Sequence, residues 1–365
     1  MTPLEHVYFE LTNACNFRCD FCPLAVSPRP VHAMDLALFR KGVDEIVERR
    51  LASSVGFHVL GEPLLSPSLV PAVRYARERG LRTHLTTNGS LLPGRWRRVV
   101  EAAPVQVAIS LQSTDAADHR SRGTGIPFET YYRGVMEGVG RIRAALPDTE
   151  IVVCVMNTAS RRLFRFDRAV RIDAAGRTYA RHVSRAVVDV ADAAGLDVDQ
   201  VRLRAVLERT SLGRPRTLRL DPRLAVQVLM LGDWGNGFTD AAVHPPPIAY
   251  CGYALRRVGV LSTGEVTMCC VDTEGRTALG NLRTDSLADL LDSPRARAVR
   301  RGFRRLRAVD AQCGRCLGGE TRLRALVKGL ASLYLFSFAH PLRSPEVALS
   351  SAISQNRIRA LPNCT

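Results

Sequence analysis

The sequence has very little lysine, and its positive charge is spread too evenly to form a nucleic-acid-binding surface. Lys41 and Lys328 are its only lysines, so the formal net charge of +16 comes from arginine distributed over 365 residues. A nucleic-acid-binding protein concentrates basic residues on one face. One denser run, residues 295–307, has helical spacing and is typical of a solvated helix face. We therefore predict no nucleic-acid partner.

The sequence also lacks an uninterrupted apolar stretch long enough to cross a bilayer. The best candidate, residues 330–342, is too short and contains His340 and Pro341. The N-terminus has no charged region followed by an apolar run, which a secretory signal would need. Although ten cysteines would suit a secreted disulfide protein, they are expected here to be reduced and available for metal. The prediction is a cytoplasmic protein with no membrane partner.

Three cysteines lie close together directly after the first short apolar strand. Cys15, Cys19 and Cys22 have C-x3-C-x2-C spacing, and thiolates are the ligands that hold iron–sulfur clusters. Three cysteines leave one iron of a four-iron cluster open to a small molecule. A zinc knuckle would need a second cysteine pair nearby, and none follows within the next hundred residues.

This loop, with Phe21 before its last cysteine, resembles the cluster loop of the radical S-adenosylmethionine (radical SAM) enzymes. The resemblance implies a [4Fe–4S] cluster whose open iron binds S-adenosylmethionine. It also implies an external one-electron donor of the flavodoxin or ferredoxin type. Reductive cleavage of the cofactor would then give a 5′-deoxyadenosyl radical that abstracts a hydrogen atom from substrate.

Strand-like and helical segments alternate after the cysteine loop. The predicted strands are residues 6–12, 55–60, 82–86, 105–111, 150–156 and 200–207, and the predicted helices are residues 35–50, 68–79, 93–102, 128–144 and 177–194. Such alternation predicts an α/β fold with a parallel sheet and right-handed crossovers. With the resemblance, it predicts a partial (β/α)6 TIM-like barrel with its site at the carboxyl ends of the strands.

The ends of these strands carry turns similar to those that surround the cofactor in the family. Residues 61–63 resemble the GGEP motif, with Leu60 in place of the first glycine, and residues 87–89 resemble the TNG turn. Arginine suits a carboxylate partner because its planar fork binds both oxygens. The cofactor-binding residues that the resemblance implies are Phe21, Gly61, Glu62, Pro63, Thr87, Asn88, Ser110, Gln112, Arg122 and Asn157.

A second cysteine set lies in the C-terminal third. Residues 258–268 predict a β-hairpin with its turn at residues 262–264, which would bring Cys251 and Cys269 together. Cys313 and Cys316 follow in a C-x2-C pair, and two such pairs alone would suit zinc equally well. The adjacent Cys270 leaves the choice of ligand open, although the spacing from Gly264 favours Cys269.

This layout resembles the SPASM/twitch region of radical SAM enzymes, which implies a second, auxiliary [4Fe–4S] cluster. Its implied ligands are Cys251, Cys269, Cys313 and Cys316. Full SPASM modules carry further cysteines, whereas only Cys364 follows here, so the count fits the shorter twitch form. The predicted domains are a barrel (residues 1–210), a connection (211–250), a small hairpin and helix cluster domain (251–320), and a helix with a tail (321–365).

These features predict a radical SAM oxidoreductase that dehydrogenates an unactivated C–H bond, with the auxiliary cluster accepting the second electron. The expected substrate is a small polar molecule of natural-product biosynthesis, such as a sugar or aminocyclitol. Because the cysteine loop starts within the first fifteen residues, no N-terminal domain that would capture a leader peptide is expected. The alternatives are an epimerase in which Cys270 or Cys154 returns a hydrogen atom, a peptide-modifying enzyme, and a non-catalytic metal scaffold.

Overall fold

The computed structural model describes residues 3–158, 176–232, 234–237, 242–336 and 345–354. Its strands are β1 His6–Phe9, β2 Ser54–Phe57, β3 Arg82–Thr87, β4 Gln106–Gln112, β5 Glu150–Asn157, β6 Asp197–Val198, β7 Arg216–Asp221, β8 Leu224–Met230, β9 Arg257–Val260, β10 Glu265–Thr267, β11 Ala278–Asn281, β12 Glu346–Ala348 and β13 Ile353–Ser354. Its helices are α1 Leu36–Glu48, α2 Leu69–Glu78, α3 Leu92–Ala102, α4 Ala116–His119, α5 Phe128–Ala145, α6 Gly176–Ala193, α7 Gln200–Glu208, α8 Gly252–Arg256, α9 Leu287–Leu291, α10 Pro294–Arg304, α11 Ala311–Leu317 and α12 Arg322–Tyr334.

One long sheet runs through the described part of the chain. Its strand order is β11-β10-β9-β1-β2-β3-β4-β5-β8-β7-β12. Strands β1 to β5 and β8 form consecutive parallel pairs, and helices connect them. These six strands form the partial barrel, which confirms the predicted α/β fold.

The sixth barrel strand is not the one that the sequence suggested. Residues 200–207 were predicted to be a strand, but they form helix α7. The Asp199 carboxylate accepts hydrogen bonds from the backbone N–H groups of Val201 and Arg202 and so caps the helix, while Leu203 and Leu207, four residues apart, bury one face. The strand prediction was wrong because these apolar residues also fit a helical period.

The sixth strand is β8, which lies in the segment predicted to be a connection. Residues 216–221 and 224–230 form an antiparallel pair, and β8 also pairs in parallel with β5. Residues 216–230 therefore belong to the sheet. Strand β8 is mostly buried and completes the wall of the barrel. The barrel therefore extends past residue 210.

The main core lies between the sheet and the helices that cover its outer face. On α1, Phe39 packs against Phe9 of β1 at 4.8 Å and Phe57 of β2 at 5.7 Å, measured between ring centroids. All three rings are fully buried. Full burial of such a side chain stabilises a fold by about 1.5–3 kcal/mol. These contacts fix the outer layer and leave the inner face of the sheet for the site.

The C-terminal cluster domain joins the edge of the barrel sheet. Strand β9 pairs in parallel with β1, with Tyr8 opposite Gly259, and β10 returns antiparallel to β9. This confirms the predicted hairpin. Its second strand leads to Cys269, while α11 carries Cys313 and Cys316.

The arginine-rich run forms α10, as its spacing predicts, and most of its arginines are at least partly exposed. Arg300 is the buried exception, and its guanidinium donates to the backbone oxygen of Leu291 at 2.5 Å. None of the helices in the described ranges is both long and apolar enough to span a bilayer. Cys364 and the apolar stretch beyond residue 336 lie outside the described residues.

Candidate active site

The first cysteine set lies in the loop that follows β1, at the carboxyl end of that strand. Burial raises the pKa of the thiols of Cys15 and Cys19 and raises that of Cys22 to about 12. Cys15 and Cys19 are close enough that their charges would raise the pKa of Cys22 further. Three adjacent half-buried thiolates need a cation to hold them ionised, and a cationic iron–sulfur core would supply one.

A turn before α5 supports the cysteine loop. The backbone N–H of Asp20 donates to the oxygen of Ser121 at 2.8 Å, and that of Arg18 donates to the oxygen of Arg122 at 3.3 Å. Gly123 has φ +57°, and a Cβ there would lie 2.2 Å from the oxygen of Arg18. Only glycine fits so close a backbone approach. The support therefore depends on the residue that follows Arg122.

A cavity of about 150 Å³ opens beside the three cysteines. Seven of the predicted cofactor-binding residues line it: Phe21, Gly61, Thr87, Asn88, Ser110, Gln112 and Arg122. The lining residues that sequence reasoning missed are Phe17, Leu24, His58, Val59, Leu60, Thr86 and Trp234. Most of the missed residues are apolar or lie within strands and carry no motif. Alternation along the predicted strands 55–60 and 82–86 could have placed His58 and Thr86 on the inner face.

At Gly61 the backbone lies so close to the neighbouring chain that only a glycine leaves enough space. It has φ +78°, and a Cβ there would lie 2.2 Å from the oxygen of Thr12 and 2.8 Å from that of Ala14. The next N–H, of Glu62, donates to the oxygen of Ala14 at 2.8 Å. The turn after β2 therefore packs directly against the chain that enters the cysteine loop.

Glu62 lies behind this turn and does not line the cavity. Its fully buried carboxylate accepts hydrogen bonds from the Asn88 N–H at 2.6 Å, the Thr87 hydroxyl at 2.8 Å and the Leu64 N–H at 3.0 Å. Burial raises the pKa of Glu62, although these donors oppose the rise. The carboxylate joins the turns after β2 and β3, and its role as an acceptor for a cofactor ammonium group stays a prediction.

Two more predicted residues lie outside the cavity lining. Pro63 is buried at the start of a short 3-10 turn. Asn157 is buried at the end of β5, and its side-chain amide donates to the oxygen of Leu212 at 2.7 Å. Asn157 therefore connects β5 to the segment that contains Leu212, and Pro63 starts the turn after Glu62.

Arg122 is 2% exposed and lies among aromatic rings. Its guanidinium carbon is 4.9 Å from the ring centroid of Phe17, 6.0 Å from that of Phe21 and 5.9 Å from that of Tyr131. Burial alone would lower the pKa of Arg122, but the nearby Tyr131 and cysteines outweigh it and keep that pKa above its ordinary value. Arg122 is therefore a fixed positive charge beside the cysteine loop.

Two buried polar atoms of the cavity residues are available to bind a polar ligand. The Nε of Arg122 and the Oε1 of Gln112 have no hydrogen-bond partner within the described part of the chain. Gln112 reaches the cavity from a bulge in β4, where its φ is +61°. A methionine moiety has a carboxylate to accept from arginine and an ammonium to donate to an amide oxygen. The site therefore fits S-adenosylmethionine. Its three cysteines can hold the cluster, its Gly61 turn leaves space that a side chain would fill, and these two atoms can bind the methionine moiety.

The second cysteine set gathers at the end of the hairpin. Cys251 precedes α8, Cys269 and Cys270 follow β10, and Cys313 and Cys316 lie three residues apart on α11. Burial raises the pKa of Cys251 and of Cys313, and the charge of Cys251 acts on both Cys269 and Cys313. Over the described ranges, no three His, Cys, Asp or Glu side chains are grouped to hold a single metal ion.

Cys270 lies toward the barrel. A hydrogen bond with Cys269 and then the Arg257 guanidinium lower the pKa of the Cys270 thiol, and the same bond raises that of Cys269. A Cβ on Gly259, in the strand next to β1, would lie 3.4 Å from the Cα of Cys270. Both members of the pair remain candidate ligands, and Cys270 remains a candidate hydrogen donor.

Cys154, the other predicted hydrogen donor, is buried in β5 directly across from Ser110 of β4. Its Sγ lies 3.9 Å from the Oε1 of Gln227. Burial raises the pKa of the Cys154 thiol to about 12, so it stays protonated near neutral pH. Because parallel neighbours share a face, Cys154 is one strand away from the cavity-lining Ser110.

A buried ion pair connects the two cysteine sets. Arg29, after the cysteine loop, binds both carboxylate oxygens of Glu10 at 3.0 and 2.5 Å. The same carboxylate accepts from the N–H of Ser262 in the hairpin turn at 2.9 Å, and Arg29 donates to the oxygen of Thr273 at 2.8 Å. The cluster domain is thus held against the end of β1.

Comparisons with known proteins agree with this arrangement. The model of the Radical SAM superfamily matches residues 9–159, and that of the SPASM iron-sulfur cluster-binding domain matches residues 251–317. YfkA of Bacillus subtilis is 34% identical over 104 residues, which cover 27% of each chain. The S-adenosyl-L-methionine-dependent 2-deoxy-scyllo-inosamine dehydrogenase of Niallia circulans is 31% identical over 117 residues, 31% of this chain and 46% of that enzyme. The matched stretches thus span less than half of these relatives.

Solved structures share the fold over most of the chain. BtrN in complex with AdoMet and 2-DOIA superposes with a TM-score of 0.52 at 16% identity and covers 87% of this chain and 96% of BtrN. The enzyme anSMEcpe, with bound AdoMet and a Kp18Cys peptide, has a TM-score of 0.51 at 13% identity and covers 93% and 98% of the two chains.

The cofactors follow from these two domains. They are a [4Fe–4S] cluster that binds S-adenosylmethionine, S-adenosylmethionine itself, and a second, auxiliary [4Fe–4S] cluster. The chain belongs to the radical SAM superfamily and carries a C-terminal SPASM domain.

Proposed function

We propose that this enzyme is a dehydrogenase that oxidises a C–H bond of a small, polar, cyclic substrate such as a sugar or aminocyclitol. The observation that carries the proposal is the short path between the two cysteine sets. Trp234 lines the cavity, and a Cβ on the next residue, Gly235, would lie 2.7 Å from the Sγ of Cys316. A cluster held by Cys316 would therefore lie beside the reaction cavity, where it could accept an electron.

The reaction removes two electrons and two protons from the substrate. When bound, the cofactors remove one hydrogen atom from carbon and accept one electron, while an external donor of the flavodoxin or ferredoxin type supplies the electron that cleaves S-adenosylmethionine. A protein group must take the remaining proton. We assign that role to His58, which lines the cavity. Burial lowers the pKa of its imidazole, so the ring is neutral and can accept a proton near neutral pH.

Other residues of this chain orient the reactants and exclude water. Arg122 and Gln112 offer a donor and an acceptor to the methionine moiety, and Phe17 and Phe21 form an apolar wall. The dehydrogenase from Niallia circulans supports an aminocyclitol-like substrate, and the BtrN complex, which contains 2-DOIA, shares the fold.

The test uses anaerobically reconstituted enzyme with a chemical reductant, S-adenosylmethionine and 2-deoxy-scyllo-inosamine or related sugars. We expect 5′-deoxyadenosine and the corresponding ketone in equal amounts. Cys313→Ala should still form 5′-deoxyadenosine but lose the ketone, because it removes an auxiliary ligand and leaves the cysteine loop intact. Equal ketone yield from this variant would refute electron acceptance by the auxiliary cluster.

The second candidate function is an epimerase, and the position of Cys154 favours it. The protonated Cys154 thiol faces the same side of the sheet as Ser110. An epimerase would give a product with the mass of the substrate plus one deuterium when it reacts in D2O. Cys154→Ala would then block product formation, whereas the proposed dehydrogenase should keep its activity.

A peptide substrate is the remaining alternative. It draws on the anSMEcpe complex, whose structure contains a peptide. Because that likeness shows the fold alone, the substrate panel should include a cysteine-containing peptide, and its oxidation in preference to sugars would contradict the proposal.

A further inference from the structure

A single turn, residues 234–237, lies between the cavity and the auxiliary cysteines. Trp234 is half-buried and lines the cavity together with Cys15, Cys19 and Cys22. The following glycine, Gly235, is buried against Cys316. Neighbouring residues of one turn thus contact the two sites.

The backbone of this turn is held in an uncommon conformation. Trp234, Gly235 and Asn236 have φ angles of +49°, +68° and +61°. Positive φ is rare for residues other than glycine, and it persists only where the surrounding structure imposes it. The conformation therefore points to contacts that hold the turn.

Those contacts come from the helix that carries the auxiliary cysteines. The side-chain amide of Asn236 donates to the backbone oxygens of Arg315 at 2.6 Å and Gly318 at 3.1 Å, at the end of α11. The Sγ of Cys316 occupies the space that a Cβ on residue 235 would need. The backbone of the turn that carries Trp234 is therefore held against α11.

We propose that Trp234 is a positioning residue that couples the auxiliary site to the substrate cavity. Its indole would support the flat C–H face of a saturated ring and attract a ring ammonium group through its π-face. The inference rests on the proposed function and narrows the substrate class to cyclic polyols and aminocyclitols with one apolar face. It also predicts that the cavity keeps its shape only while α11 is in place.

The first test observes Trp234 directly and does not depend on substrate. The chain contains two tryptophans, Trp96 and Trp234. Incorporation of 5-fluorotryptophan into the holoenzyme should therefore give two 19F NMR signals, which Trp96→Phe assigns. We expect S-adenosylmethionine to shift the Trp234 signal and to leave the Trp96 signal unchanged.

The coupling is tested by moving the turn without removing a cysteine. Gly235→Ala places a Cβ against Cys316, whereas the matched control Gly232→Ala adds a Cβ with no atom within 4 Å. We expect Gly235→Ala to shift the Trp234 signal and abolish its response to S-adenosylmethionine, and Gly232→Ala to change neither. Asn236→Ala, which removes the bonds to α11 and adds no atom near Cys316, should also shift the signal.

Two results would overturn the proposal. One is a Trp234 signal that does not respond to S-adenosylmethionine in the parent enzyme. The other is an unchanged signal and response in both Gly235→Ala and Asn236→Ala. Because neither measurement uses a substrate, a wrong dehydrogenase assignment would leave these outcomes intact.

The catalytic part of the proposal is tested with 2-deoxy-scyllo-inosamine. In Trp234→Ala we expect the ketone formed per 5′-deoxyadenosine to fall about 100-fold, the loss typical of a misplaced reactant. Trp234→Phe should restore most of this ratio because it keeps an aromatic face. A parallel loss of ketone and 5′-deoxyadenosine in Trp234→Ala would instead indicate a purely structural role and refute the positioning role.

Discussion

At the scale of single residues, Arg122 carries a fixed positive charge although its side chain is almost fully buried. Its guanidinium lies among three aromatic rings, and its charge acts on Cys19 and Cys22 of the cysteine loop. A buried charge is stable only when it is paired. Ionised cysteines and a cofactor carboxylate would provide that pairing.

We predict that Arg122→Met weakens S-adenosylmethionine binding about 10- to 100-fold, because a charge-assisted hydrogen bond contributes about 1.5–3 kcal/mol. Equilibrium dialysis with the reconstituted enzyme measures the affinity. The matched control is Arg120→Met, which removes an exposed arginine two residues away. Equal affinities in the two variants would contradict the assignment of Arg122 to the cofactor.

A second prediction at this scale concerns the pH dependence of proton removal. Burial lowers the pKa of His58 below its ordinary value of 6.5, so the neutral, proton-accepting form persists at lower pH than for an exposed histidine. The rate of ketone formation should therefore stay constant as the pH falls through 6.5 and decline only in more acidic solution. His58→Gln should lower the rate about 100-fold or more and remove this decline. A wild-type midpoint at or above the ordinary value would exclude His58 as the base.

At the scale of elements, the Glu10–Arg29 pair connects three segments that are distant in the sequence. It joins the end of β1, the chain after the cysteine loop and the turn of the β9–β10 hairpin. The Glu10 side chain is fully buried. Loss of one partner would leave an uncompensated charge inside the protein.

We predict that Arg29→Met lowers the free energy of unfolding by about 3–5 kcal/mol, and that Glu10→Leu combined with Arg29→Met recovers most of this loss. Urea unfolding followed by circular dichroism measures both variants. Arg202→Met is the control, because its ion pair with Asp199 is exposed and should contribute less than about 1 kcal/mol. A loss no larger than that of the control would show that the pair does not hold the hairpin to β1.

At the scale of the whole molecule, one sheet brings together cysteines separated by more than two hundred residues. Strand β9 joins β1 at the edge of the barrel, so the hairpin that leads to Cys269 starts beside the strand that leads to Cys15. The turn at Trp234 closes the space between them. The auxiliary cysteines therefore lie behind one turn of the cavity wall.

The predicted metal content follows from the two cysteine sets. Reconstituted parent enzyme should hold about eight irons per chain, and the variant with Cys15, Cys19 and Cys22 replaced by alanine should hold about four. Cys313→Ala should also lose iron while it keeps the other cluster. Iron, sulfide and zinc analysis measures these values. About four irons with one zinc in the parent would mean that the auxiliary site is structural, and electron acceptance there would be wrong.

The sequence by itself determined the features that depend on local spacing. The C-x3-C-x2-C loop, the hairpin around Gly264 and the alternation of strands and helices all lie within short segments. Each is fixed by the geometry of nearby residues, so period and spacing were enough to predict the alternating α/β fold and the hairpin, whereas the barrel and the seven residues that line the cavity came from the resemblance to the radical SAM motifs.

The tertiary structure decided what depends on contacts between distant segments. The apolar residues in 200–207 were compatible with either a helical or a strand period, and they form α7. Residues 224–230 form the strand β8 because they pair with β5. Glu62 carried the right motif, yet its carboxylate bonds to the turn after β3. Trp234 lay in an irregular stretch, and only α11 placed it at the cavity. Burial and hydrogen bonding across the fold fixed these roles, and neither leaves a period or a spacing in the sequence.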